Sequence, residues 1–153
     1  MKLITASLLL LFALDTTACE LVGGSCTDIG CVNSLSLTVT HGDGAWAAGS
    51  YAITVDVAGT PVTFQCAVAG GESRCDPPAS APPGLSVEPV LASGAVEAFA
   101  VKVESAPRRV QLEVAPDGAA ALTKTVSPTY THSRPNGPDC GPVCSAGSEA
   151  VEL

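Results

Sequence analysis

Apolar and polar side chains alternate along most of this polypeptide. Leu35, Leu37 and Val39 are interleaved with Ser36, Thr38 and Thr40. Tyr51, Ile53, Val55 and Val57 alternate with Ala52, Thr54 and Asp56, and Val62, Phe64, Cys66 and Val68 with Thr63, Gln65 and Ala67. The same pattern returns at Phe99, Val101 and Val103, and at Val110, Leu112 and Val114. A period of two places one row inward and the other toward water, so each run is a predicted strand. Val87 and Leu91 suggest another, interrupted by Pro89, and Leu122 with Val126 closes the series more weakly. Turn residues separate the runs: Gly42-Asp43-Gly44, Gly59, Gly70-Gly71, Gly94, Pro107 and Asp117-Gly118. About seven short strands at this spacing predict an all-β fold, an antiparallel β-sandwich. The Pro-rich stretch at 77–83 is too poor in backbone donors for a central strand and is expected to cross between sheets.

Residues 1–18 break the pattern. Lys2 precedes an apolar run that Asp15 ends, and small residues follow, which is the three-part layout of an export signal. The run is shorter than the ~20 apolar residues that span a bilayer. Thr16-Thr17-Ala18 ahead of Cys19 resembles a bacterial lipobox, although Thr16 stands where that family usually has Leu. In that family the signal is removed immediately before a cysteine that receives diacylglycerol. The same three residues also fit an ordinary signal-peptidase site.

Cysteine number bears on the choice. The chain has 7 cysteines, an odd count in an exported protein. Lipidation of Cys19 leaves Cys26, Cys31, Cys66, Cys75, Cys140 and Cys144 to form pairs; the alternative is a free thiol or an intermolecular bridge. If Gly70 and Gly71 are the central residues of a tight hairpin, Ala69 faces Glu72, and Cys66 then faces Cys75 at a non-hydrogen-bonded site. Such sites bring Cα atoms to ~4.5 Å, within disulfide range, which predicts Cys66–Cys75. Cys26 with Cys31, and Cys140 with Cys144, lie close enough to pair locally. The rival arrangement crosses them and staples the N-terminal tether to the C-terminal tail. Spacing favours local pairing modestly.

Composition narrows the function classes. Charged residues are 14% and aromatics 4%, so the core must come from Val, Leu and Ala. Seven basic against 15 acidic residues give a net charge of −8, which argues against nucleic acid and against charge-driven docking on an anionic membrane. The cysteine content points to an oxidising compartment. His41-Gly42-Asp43 offers a metal or acid/base pair but reads first as a polar turn. His132 precedes Cys140 and Cys144, yet Cys26 and Cys31 make a poor second zinc-ligand pair. There is no nucleophile elbow, H-E-x-x-H, phosphate loop or C-x-x-C. Asp56, Glu88, Glu97, Glu104 and Glu113 are spread along outward positions or turns like a solvated face, not a paired general acid and base. No catalytic residue, metal or cofactor is therefore expected. Trp46 and Tyr51 could form an exposed platform for a sugar or peptide, but a cap on the end of the core is the weightier reading.

Two resemblances add to this. Gly49-x-Tyr51-x-Ile53-x-Val55 resembles the strand entry of immunoglobulin-like, transthyretin-like and fibronectin-type modules over residues 47–68, which implies an immunoglobulin-like sandwich. Pro128 and Tyr130, then Pro135-Asn136-Gly137-Pro138, then Cys140 and Cys144 resemble the tail of small bacterial lipoproteins that have no assigned activity, so nothing catalytic carries over. Tyr130 is expected on the sandwich edge, and residues 147–153 are expected to fray. The chain thus divides into a signal at 1–18, a lipid-anchored tether at 19–31, a sandwich at 32–128 and a Cys-pinned tail at 129–153. The expected protein is a non-enzymatic display or binding module of the bacterial envelope. It would be held on the membrane, with the outer membrane slightly preferred, through Cys19, and its protein or glycan partner is unspecified. A secreted or periplasmic soluble form is the alternative location. The functional rival is a periplasmic metal-binding or enzymatic accessory protein using His41, His132 or the cysteines.

Overall fold

The computed structural model describes Cys26 and residues 29–153; the expected export signal and Cys19 lie outside the described residues. Among the described residues the chain forms ten strands: β1 (Ser34–Thr40), β2 (Gly49–Val57), β3 (Thr60–Val68), β4 (Arg74–Asp76), β5 (Leu85–Ala92), β6 (Ala95–Val103), β7 (Val110–Pro116), β8 (Leu122–Val126), β9 (Thr131–Ser133) and β10 (Cys144–Glu152). They make two five-stranded sheets, ordered β5-β6-β1-β10-β9 and β4-β3-β2-β7-β8. Neighbours are antiparallel except β1 and β10, which run parallel.

The alternation read from the sequence is the cause of the layering. Leu35, Leu37 and Val39 of β1 are buried, and Leu37 pairs with Val101 of β6. In the facing sheet Ile53 stands between Phe64 and Val114, all three buried. With few aromatic residues, the core is filled by such β-branched and Leu side chains, which suit a pleated surface. Trp46, Tyr51 and Phe99 gather at one end of it. The 77–83 stretch carries the chain from β4 in one sheet to β5 in the other, as expected of it.

Strands β1–β8 are ordered as in a variable-type immunoglobulin domain. β5-β6-β1 corresponds to strands D, E and B, and β4-β3-β2-β7-β8 to C″, C′, C, F and G. The place beside B that strand A would fill is taken by β10, which arrives from the other terminus and runs the opposite way.

This corrects several expectations. Residues 144–152 neither fray nor form a tail outside the sandwich; they are an interior strand between β1 and β9. The weak strand signal of these residues has a chemical cause. The core-side row of β10 is Gly147, Glu149 and Val151, of which only Val151 is an apolar anchor. A Cβ at Gly147 would lie 2.9 Å from the Tyr130 ring, so the glycine makes room for that ring, which fills the place of the missing side chain. The preference for local pairing of Cys26, Cys31, Cys140 and Cys144 also gives way to the crossed arrangement, Cys26–Cys140 and Cys31–Cys144. Because β1 and β10 are parallel with Ser34 opposite Ala146, the residues just before them travel side by side. Cys66 and Cys75 face each other in the counted register and are bonded. Pro89 does not interrupt β5, because β5 is an edge strand and tolerates it.

All four sheet edges are blunted against adding another strand. β4 and β9 have three residues each. β5 carries Pro89 and an irregularity at Val90/Leu91. β8 is regular, but Lys124 pairs with Leu112 and so points to the core side of the edge. The substitution Lys124→Val is expected to change monomer stability by no more than about 0.5 kcal/mol while making sedimentation velocity concentration-dependent through edge pairing. A variant that stays monomeric at every concentration contradicts this role.

Candidate functional site

The registers give the sandwich two unlike ends. β1 and β10 start at one and finish at the other, so that His41 and the C-terminus lie at the far end from Cys31 and Cys144.

The first end is a clasp. Disulfides join Cys26 to Cys140 and Cys31 to Cys144, with Cα atoms 5.8 and 5.5 Å apart. Between them sits Asn136, the buried polar residue of this region, 8% exposed. Its Oδ1 accepts from the Ile29 amide at 2.9 Å, and its Nδ2 donates to the carbonyls of Ile29 at 3.3 Å and Gly141 at 2.8 Å. An amide side chain can offer a backbone both a donor and an acceptor, so Asn136 substitutes for one rung of a ladder. A second rung comes from Asn33, whose Oδ1 accepts from the Ser145 amide at 2.8 Å. The β6–β7 loop with Arg108 and Arg109 is tied to this end by the Tyr130 hydroxyl, which donates to the Pro107 carbonyl at 2.8 Å. Burial, and secondarily the Glu149 carboxylate, raise the Tyr130 pKa above its usual 10.0. Arg134 completes the basic group of this end and donates to the Pro138 carbonyl.

The opposite end is made of loops tied to the ends of the strands and to Leu153. They are the β1–β2 loop (41–48), the β3–β4 and β5–β6 turns (69–73 and 93–94) and the β7–β8 loop (117–121). The Gly42 amide donates to the Leu153 carbonyl at 2.9 Å, the Trp46 amide to Val96 at 2.8 Å, and the Asp117 amide to Ser50 at 2.9 Å. Trp46 is buried, with the rings of His41 at 5.1 Å, Phe99 at 5.1 Å and Tyr51 at 5.5 Å. It caps the core and is not an exposed platform. Its Nε1 is buried without a hydrogen-bond partner. Asp43, Glu72, Glu97, Asp117 and Glu152 surround these loops. Arg74, the one basic residue at this end among the described residues, pairs with Asp76 at 3.5 Å. The net negative charge is therefore concentrated opposite the clasp.

The sequence-derived chemistry does not converge. His41 accepts from the Asp43 amide at 3.3 Å, a local turn contact. His132 bonds to Ser145 on the exposed β9–β10 pair. Ser145 lies level with residue 33, so the two histidines are separated by about eight residues of strand, roughly 26 Å. The six described cysteines are all disulfide-bonded, and among the described residues there is no group of three or more His, Cys, Asp or Glu side chains able to hold a metal. The surface concavities are open. One of about 490 Å³ lies near the clasp between Val32, Ser36, Leu85 and Lys102. Another of about 450 Å³ lies at the loop end between Thr40, His41, Val90 and Ala98. Sequence reasoning missed Asn136 and the acidic loop end. Asn136 read as a turn residue, and the carboxylates come from five separate segments that only the topology unites.

In comparisons with known proteins, no family model matches the chain, and neither a curated protein nor a solved structure matches it significantly.

The variant Asn136→Ala leaves the Ile29 amide and the Gly141 carbonyl without their partner. It is expected to cost about 2 kcal/mol in urea unfolding with the disulfides intact; a loss under about 0.5 kcal/mol would contradict the role assigned to Asn136.

Proposed function

We propose that the protein is a lipid-anchored module of the bacterial envelope, attached through Cys19, that presents its acidic loop end away from the membrane and acts by binding rather than catalysis. The observation that carries this reading is the position of the clasp. Cys26 follows Cys19 by seven residues, a span of at most about 25 Å, and both long-range disulfides sit at that same end of the sandwich. A lipid on Cys19 would therefore hold the clasp end near the bilayer and leave the other end outermost. Charge supports the same orientation. At the clasp end Arg108, Arg109 and Arg134 offset Glu104 and Asp139, whereas unopposed carboxylates crowd the loop end, which an anionic membrane repels. The blunted sheet edges leave loops and sheet faces, not strand addition, as the means of binding. A partner for the loop end would present basic or hydroxyl-rich chemistry, as a protein or glycan surface can.

Each acyl methylene buried in a bilayer contributes ~0.8 kcal/mol, so a multiply acylated Cys19 keeps the domain on the membrane. The variant Cys19→Ala is expected to move the protein from the membrane pellet to the soluble fraction, with mass spectrometry of the parent chain showing a diacylglycerol-modified N-terminal cysteine. An unmodified Cys19, or a parent chain already soluble, would overturn the anchor.

A further inference from the structure

The crossed pairing is not the one that random encounter favours. Cys26 and Cys31 are neighbours in sequence, as are Cys140 and Cys144, whereas the bonded partners are separated by 114 and 113 residues. Closure becomes less frequent as about the 3/2 power of loop length, so each local bridge forms from the unfolded chain roughly a hundred times more often than a crossed one. Export from the N-terminus accentuates this, because Cys26 and Cys31 meet the oxidising compartment well before Cys140 and Cys144. Cys66–Cys75, with a separation of 9, is local and also native, so it is exempt. A chain bridged locally at both ends cannot close the clasp until those bonds are exchanged. The native structure offers no thiol among its described residues to start the exchange, and Cys19 is occupied if it carries lipid.

We infer that this protein is a substrate of a thiol–disulfide isomerase, which converts the locally bridged chain into the clasped one. The exchange balances without any external oxidant or reductant. An isomerase thiolate attacks the Cys26 sulfur, breaks Cys26–Cys31, forms a mixed disulfide and releases the Cys31 thiolate. That thiolate attacks the Cys144 sulfur, forming Cys31–Cys144 and releasing the Cys140 thiolate. The Cys140 thiolate then attacks Cys26 in the mixed disulfide, forms Cys26–Cys140 and returns the isomerase thiolate. Two protein disulfides enter and two leave. The direction is set by folding: Asn136 holds Ile29 between the two N-terminal cysteines, and β10 pairs beside β1, which together align the crossed sulfurs. The inference rests on the oxidising-compartment part of the proposed function and not on the anchor.

The test starts from the reduced, unfolded mature chain carrying Cys19→Ala, so that no internal thiol remains to reshuffle the bonds. Oxidation by diamide without added thiol, followed by disulfide mapping, is expected to give mainly Cys26–Cys31 and Cys140–Cys144 beside Cys66–Cys75. Addition of a purified thiol–disulfide isomerase is expected to move the product to Cys26–Cys140 and Cys31–Cys144, faster than a glutathione buffer of the same poise. A double variant with Cys26→Ala and Cys140→Ala has no local partner for Cys31 or Cys144, so it should form Cys31–Cys144 with oxidant alone. Crossed pairs dominating without isomerase, equal rates in glutathione, or isomerase dependence in the double variant would each overturn the inference. Free thiols on protein isolated from cells would instead overturn the oxidising-compartment reading itself.

Discussion

The fold depends on the parallel pairing of β1 with β10. It brings the two ends of the described chain together inside one sheet, since Ser34 pairs with Ala146 and Thr40 with Glu152. A parallel pair between chain ends closes a very long loop, and its residues do not supply the usual compensation: Gly147 and Glu149 bury no apolar side chain. The missing support comes from outside β10. Tyr130 packs over Gly147, Glu149 accepts from the Thr129 amide at 2.9 Å, and two disulfides lock the entrance. In the chain-entropy view a bridge closing about a hundred residues contributes roughly 4–5 kcal/mol. The second bridge closes little additional loop once the first exists. Its role, with Asn136, is to hold the residues before β1 in register with those before β10.

This arrangement explains which parts of the structure were legible in the sequence. Strands with buried alternate rows, such as Tyr51-Ile53-Val55 and Val110-Leu112-Val114, announce themselves because burial is their main source of stability. Cys66–Cys75 could be counted because a hairpin turn sets register locally. β10 could not be read, because its stability lies in partners more than a hundred residues away and in a ring that occupies the space above a glycine. The cross-linking of the termini was open for the same reason: sequence spacing measures short loops and is blind to parallel neighbours. At the candidate site, the acidic loop end was invisible in a net charge of −8, which averages over an uneven distribution.

The same constraint organises the surface. With β10 in the position of an immunoglobulin first strand, the segment before β1 is free to run into the clasp instead of pairing along the sheet. The clasp therefore gathers the segment before β1, the long-range disulfides and three of the arginines at one end. The loops at the other end are rigidified by backbone bonds such as Trp46 to Val96 and Gly42 to the C-terminal carbonyl. Short loops with fixed backbone and shared negative charge present a fixed surface rather than an adaptable one. Lys124, Pro89 and the brevity of β4 and β9 keep the remaining backbone from recruiting other strands.

Amide hydrogen exchange in β10 tests this account most directly. With all disulfides intact, the hydrogen-bonded amides among residues 146–151 should be protected to the same free energy as those of β1 and β6, because all three strands open only in global unfolding. Exchange of these amides at the rate of an unstructured tail, while β1 and β6 remain protected, would contradict it.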